Sequence, residues 1–373
     1  MKQVKTIHLK VKPESYHWLE TAAREVSDFW NYQNNGYFES SVDIETKKAK
    51  WLSGFDLMYM TAGFTKFFKR IGADTLNSVS QELVKKRFQF KTPNIHNRVS
   101  NPKSPKHSLG WIPFVPNSIK IKGNAIRFAG KTFRVFDLQR LLEYGTKKSG
   151  CFSQNSLGEW FLNVTVELPE QVPVMTGKHI GIDLGLKTTV TCSDGQKFST
   201  TEYRDTEEKL ASAQRRGHKR LVKAIHAKVK NRRMDTLHKL SRKLVDENDL
   251  IVIGDVSSSK LAKTRMAKSV LDASWSMFKT MCQYKGSLAG HRVEIVNESY
   301  TTRACSNCGC LSGPSGLRQL VVRDWICSEC MAEHDRDVNS AKNILSLGLR
   351  WQPLLAENES HASDARLERA SAA

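Results

Sequence analysis

Four cysteines stand in two short pairs, Cys305-x-x-Cys308 and Cys327-x-x-Cys330, with eighteen residues between the pairs. This spacing puts two thiolates on each of two tight turns, and four sulfurs so presented can meet at one tetrahedral Zn²⁺. Such a site is structural, because all four coordination positions are filled by protein. A fifth cysteine in the same stretch, Cys310, is left over and reads as a bystander. Five of the eight cysteines fall between 305 and 330. That clustering suits a metal site in a reducing compartment rather than a disulfide scaffold.

Carboxylates supply the second kind of chemistry. Asp183 lies in the run Gly181-Ile182-Asp183-Leu184-Gly185, where an apolar strand presents one acid before glycine turns the chain. A carboxylate on a strand of a mixed sheet can hold Mg²⁺, as in RNase H-like nucleases, or it can simply start a β-turn. Asp335 and Asp337, in Asp335-Arg336-Asp337-Val338-Asn339, follow the cysteines and open a helix, where Asp337 could serve as a metal ligand or only as a cap.

Charge supplies the third. The 373 residues carry 58 Lys+Arg against 38 Asp+Glu, a formal net charge of +20, which points to a polyanionic partner, nucleic acid above all. Residues 215–243 hold twelve Lys/Arg and a single acid, Asp235, around an apolar stripe of Leu221, Ile225, Val229, Leu237 and Leu240. Arg215, Arg216, Lys219, Arg220, Lys223, Arg232 and Arg233 are the candidate phosphate contacts of this helix. No run of 18 apolar residues exists, so no membrane span is expected, and the N-terminus has no apolar signal core. A cytoplasmic, nucleoid-associated prokaryotic protein is the expectation.

These groups need elements to position them. Residues 1–12 alternate as a strand, and 14–90 turn helical, with Trp18, Leu19, Ala22 and Val26, then Leu57, Met60, Phe64 and Phe67, at helical spacing. Five prolines mark 91–118 as loop; short strands follow, with a hairpin at 119–128 turning on Gly123-Asn124. Beyond 178 the pattern predicts strands, one polar helix over 205–246, a strand buried on both faces at 250–256, a helix over 269–289, a strand at 292–298 and a helix at 337–345. The fold class is therefore α+β and multi-domain. A β-rich domain (1–12 and 100–175) is interrupted by a helical one (13–99). A mixed domain (176–303 and 335–350) holds the cysteine ribbon (304–334), and a disordered tail (351–373) ends the chain.

The order GIDLG, LIVIGDVSSSKLAK, DASW, CSNCG, CSEC and HDRDVNSAKNIL, across residues 178–348, closely resembles TnpB, the transposon-encoded proteins of the OrfB group. The N-terminal half agrees in architecture alone. The resemblance implies a RuvC/RNase H-like α/β core with an inserted zinc ribbon, and a β-barrel-like wedge domain split by a helical recognition domain. It implies an RNA-guided DNA endonuclease. A guide RNA from the transposon end would pair with double-stranded target DNA beside a short transposon-associated motif, and Mg²⁺ or Mn²⁺ would serve cleavage. One position departs from the family: where most relatives carry a catalytic Glu, this chain has Gly254, followed by Asp255. Asp255 is a poor substitute, since a one-residue shift along a strand reverses the face. Glu298, at the end of the next strand, is the candidate replacement, giving a catalytic set of Asp183, Glu298 and Asp337; Glu294 lies deeper in the same strand. The alternatives are a nuclease-dead, RNA-guided DNA binder and a DNA-binding transposition accessory protein.

Overall fold

The computed structural model describes residues 3–40, 51–92, 95–144, 147–169, 173–186, 188–199, 206–255, 274–315, 319 and 321–349. The expected tail, and the segment 256–273 that carries much of the SSSKLAK and DASW motifs, lie outside the described residues. The content is mixed α/β with several sheets, in two compact units, Met1–Glu170 and Gln171–Ala373. No helix among the described residues is long and apolar enough to cross a membrane.

In the first unit β1 (Val4–Lys10) pairs antiparallel with β7 (Trp160–Glu167), in a four-stranded sheet that continues through β6 (Lys147–Gln154) to β2 (Trp111–Phe114). Strand β7 shows why it forms: Trp160, Leu162, Val164 and Val166 alternate inward, each fully buried. The predicted hairpin is present as β3 (Ile119–Lys122) and β4 (Ala125–Phe128), joined by Gly123 at φ +57°, and β5 (Lys131–Phe133) completes a three-stranded sheet. Among the described residues the expected helical block holds three α-helices, α1 (Tyr16–Ser40), α2 (Gly54–Met60) and α3 (Ala73–Phe90). A capping box between Ser53 and Asp56 starts α2. A one-turn helix, α4 (Gln139–Leu142), follows β5.

The second unit is built on a five-stranded sheet in which β8 (His179–Asp183) is central. Its order is β10 (Lys197–Phe198), β9 (Val190–Cys192), β8, β11 (Leu250–Gly254), β12 (Arg292–Val296). Strands β8, β11 and β12 run parallel, while β9 and β10 are antiparallel to their neighbours. The apolar run in β11 is buried at all five positions, as its composition predicts. Its odd residues, Ile251 and Ile253, pack with α6 (Lys219–Glu247) and α7 (Trp275–Ala289) through Leu237, Leu244 and Phe278. Its even residues, Leu250 and Val252, pack on Ile344 of α8 (residues 336–349). Helix α8 lies so close to the sheet that a Cβ at Gly181 would stand 2.1 Å from the Ala341 carbonyl.

The polar helix expected as one piece over 205–246 is two, α5 (Glu207–Arg215) and α6, broken at Gly217, whose φ of +70° no helix accommodates. The strands expected to reach 256 and 298 end at Gly254 and Val296. Glu298 therefore sits beyond its strand, where the chain is free to turn its side chain.

Candidate metal centres and nucleic-acid surface

The ribbon gathers the four cysteines named by spacing. The sulfurs of Cys305, Cys308, Cys327 and Cys330 all lie within 4.8 Å of one another, with Cys305–Cys330 and Cys308–Cys327 at 3.6 Å. Two strands close the ribbon, β13 (Asp324–Ile326) and β14 (Glu333–Asp335). A donor set of four thiolates at this separation fits Zn²⁺, whose Zn–S bonds run to about 2.3 Å. Buried His334 reaches Cys305 Sγ with Nε2 at 3.0 Å, its ring tilted against Trp325, and could orient that sulfur.

Asp183 and Glu298 lie where the carboxyl ends of the parallel strands open. Ile182 pairs with Ile253, and Ile253 with Ile295. One step further, Asp183 comes level with Gly254, both on the face covered by α8. Ser340 of α8 donates to Asp183 Oδ1 at 2.8 Å. Glu298 folds back over Gly254: a Cβ built there would stand 2.9 Å from Glu298 Oε2 and 3.3 Å from Glu298 Cβ. The Glu298 side chain thus fills the space that a side chain at 254 would need. Asp255 faces the other way, bound by Lys279 Nζ of α7 at 2.7 Å. Glu294 lies deeper and is held by Arg292.

The ends of α8 correct one alternative. Asp335, not Asp337, caps the helix: its Oδ1 accepts the backbone N–H groups of Asp337 and Val338 at 3.1 and 2.9 Å, while Lys197 holds Oδ2 at 2.6 Å. Asp337 stands in the first turn, gripped by both oxygens on Arg323 Nη1 at 3.0 and 3.1 Å. Asp183, Glu298 and Asp337 do not form a second group as tight as the cysteines among the described residues. Sequence reasoning missed Arg323, Ser340 and Lys279. Ser340 alone had a signal, one helical turn beyond Asp337.

Electrostatics mark Asp183 as the centre of this cluster. Burial pushes its carboxyl up to about 7; Asp337 and Glu298 add to the rise, against the Ser340 hydroxyl and Arg336. Glu298 is raised too, first by burial and then by Asp255, with Lys279 opposing. Carboxylate oxygens are hard donors, of the kind that suit hard divalent cations. Without added divalent cation, a pKa raised from about 4 to about 7 means that the fold loses stability as pH climbs through that window. Asp183→Asn is therefore expected to melt several degrees above wild type at pH 8, with the difference vanishing toward pH 4. Calorimetry over pH checks this; equal melting temperatures at pH 8 would contradict the assignment of strain to Asp183.

The basic surface has its own geometry. Arg215 ends α5, Arg216 follows it, and Lys219, Arg220, Lys223 and Arg232 lie on α6; all six are exposed, whereas Arg233 is half-buried. Val229, Leu237 and Leu240 of the apolar stripe are buried, but Leu221 is exposed and Ile225 half-buried. The first turns of α6 thus stand largely in solvent and present their cations on several sides.

Residues 162–265 match the family model described as "Probable transposase", and residues 275–344 the model described as "Cas12f1-like, TNB domain". A "Putative RNA-guided DNA endonuclease" of Streptomyces pristinaespiralis is 34% identical over 212 residues, 53% of this chain and 52% of that protein. The "Putative RNA-guided DNA endonuclease InsQ" of Escherichia coli (strain K12) is 28% identical over 234 residues, 55% of this chain and 57% of that one. A TnpB-like protein of Acanthamoeba polyphaga mimivirus is 30% identical over 154 residues, 39% and 28% of the two chains. The chain thus spans about half the length of the first two relatives. Strand, ribbon and helix motifs together make residues 162–344 of this chain similar to the TnpB group of transposon-encoded proteins, as the order of those motifs led one to expect.

Proposed function

We propose that this chain is an RNA-guided DNA endonuclease whose second unit is a RuvC-like nuclease with a relocated glutamate. The observation that carries the reading is the Glu298 carboxylate lying over Gly254, on the face that Asp183 shares. The strand order, with a central parallel strand bearing the first acid, supports the same fold. Asp183, Glu298 and Asp337 would hold Mg²⁺ or Mn²⁺, which when bound lowers the pKa of water and offsets charge on the scissile phosphate. Ser340 orients Asp183 through its hydroxyl. Arg323 balances the charge of Asp337. Lys279 pairs with Asp255 and offsets the effect of its charge on Glu298. The ribbon holds structural zinc, and the cations of α5 and α6 take the phosphate backbone of guide RNA or target DNA.

The test is purification with RNA from the transposon end, followed by DNA cleavage and binding assays with Mg²⁺ and Mn²⁺. RNA-dependent cleavage supports the proposal. Tight RNA-dependent binding without cleavage selects the nuclease-dead reading, and binding that needs no RNA selects the accessory protein. The basic surface has a separate readout. Arg220→Gln with Lys223→Gln should flatten the dependence of log affinity on log salt by about one unit per lost phosphate contact. An unchanged slope would mean that this face of α6 stays in water.

A further inference from the structure

The two cysteine knuckles have the same backbone. In the second, Met331 N–H donates to the Cys327 carbonyl at 3.0 Å, and Cys327 N–H to the Ala332 carbonyl at 3.0 Å. In the first, Gly309 N–H donates to the Cys305 carbonyl at 2.8 Å, and Cys305 N–H to the Cys310 carbonyl at 2.8 Å. Gly309 and Met331, the residues just past each pair, both have positive φ, +82° and +56°. Cys310 therefore occupies in the first knuckle the place that Ala332 occupies in the second. In the first knuckle that place brings the side chain back onto the sulfur cluster. Alanine has nothing to offer there, whereas cysteine has a sulfur.

That sulfur is in contact with the cluster. Cys310 Sγ lies 3.2 Å from Cys327 Sγ, nearer than Cys308 Sγ, which lies 3.6 Å away. Cys310 is half-buried and Cys308 is exposed. Ser312 ties the arrangement together, with its hydroxyl 3.3 Å from Cys327 Sγ and 3.2 Å from Cys310 Sγ. The four-sulfur set that the spacing names thus has a fifth thiol packed against it, on the side of its most exposed member.

We infer that the ribbon is a five-thiol zinc site, in which Cys310 is a reserve ligand that exchanges with Cys308. Cys305, Cys327 and Cys330 are the fixed ligands. The fourth position alternates between two thiolates two residues apart on one turn. The exchange moves one proton: the arriving thiol gives it up and the departing thiolate takes it. Zinc therefore stays on the chain when the exposed Cys308 is lost or chemically blocked.

Metal content and cobalt spectroscopy of the full chain test this without any cleavage assay. Cys308→Ser should keep one zinc per chain, and its Co²⁺-substituted form should keep the charge-transfer intensity of four thiolates. Cys310→Ser should match wild type. The double variant Cys308→Ser/Cys310→Ser should fall to three-thiolate intensity and release zinc to a chelator at least about tenfold faster, since loss of even a hydrogen-bonding partner of a ligand costs about 10–100-fold in affinity. A three-thiolate spectrum for Cys308→Ser alone would overturn the inference. Should that variant fail to fold, the zinc-loaded wild type still decides. Iodoacetamide should label Cys308 and Cys310 in fractions that sum to about one, while full protection of Cys308 with complete labelling of Cys310 would also overturn it.

Discussion

Glu298→Gln is expected to abolish DNA cleavage, by on the order of 10³-fold or more, a barrier increase of about 4 kcal/mol, while RNA and target binding persist. Asp183→Ala should do the same. The amide keeps the volume of Glu298 and removes only the charge that a cation requires, so a loss of this size separates ligation from packing. Glu294→Gln is the control, since Glu294 lies deeper and is engaged by Arg292. The sharper test uses Gly254. A Cβ at that position would meet Glu298 Oε2 and Ile344 Cδ1, each at 2.9 Å. Gly254→Glu alone therefore crowds the existing carboxylate and should lower cleavage. Combined with Glu298→Ala, which clears the space, the same substitution should restore part of the activity lost in Glu298→Ala. A double variant no better than Glu298→Ala would argue that the two positions do not serve one site, and wild-type rates in Glu298→Gln would end the relocation idea.

The order of motifs carries the resemblance, yet it leaves the geometry of the carboxylates open. The ribbon was legible because paired CxxC turns are local: three-residue spacing fixes which sulfurs converge. Strand β11 was legible for a similar reason, since five consecutive apolar residues leave little choice but burial on both faces. The face assignments of Asp183 and Asp255 followed from the two-residue period of a strand. What the sequence hid lies in contacts between distant segments. Nothing local to Arg323 says that it will grip Asp337, fourteen residues on and in another element. Asp335 and Asp337 are both acids at a helix start, and only the backbone turn decides which one caps. The break at Gly217 was missed because the charge pattern runs through it unchanged, whereas a positive φ interrupts the helix. Cys310 looked surplus by count, and its place in the knuckle repeat emerges only from matching backbone hydrogen bonds.

Loss of zinc from the ribbon should disable the carboxylate site as well, because the two share a frame. Buried Asn339 of α8 accepts from the backbone N–H of Ser306, inside the first knuckle, at 2.8 Å. Asn339 and Asn343 both donate to the carbonyls of Thr301 and Ala304, on the approach to that knuckle. From the other side β14 leads directly into α8, and Arg323, just before β13, holds Asp337. Residues 301–306 and 323–335 therefore enclose the start of the helix that carries Asp337 and Ser340. Structural zinc contributes on the order of 10 kcal/mol to small metal-dependent folds, so a ribbon without it has little to keep its turns closed. Cys327 is the ligand to replace, since it contacts both Cys308 and Cys310 and neither can stand in for it. Cys327→Ser is expected to yield protein with no stoichiometric zinc, increased amide exchange over residues 301–345 and cleavage reduced at least as far as in Glu298→Gln. The face of the five-stranded sheet that packs on α6 and α7, around Phe278 and Ile253, should keep its exchange protection. A variant that loses zinc yet cuts at the wild-type rate would show that α8 holds its carboxylate without the ribbon.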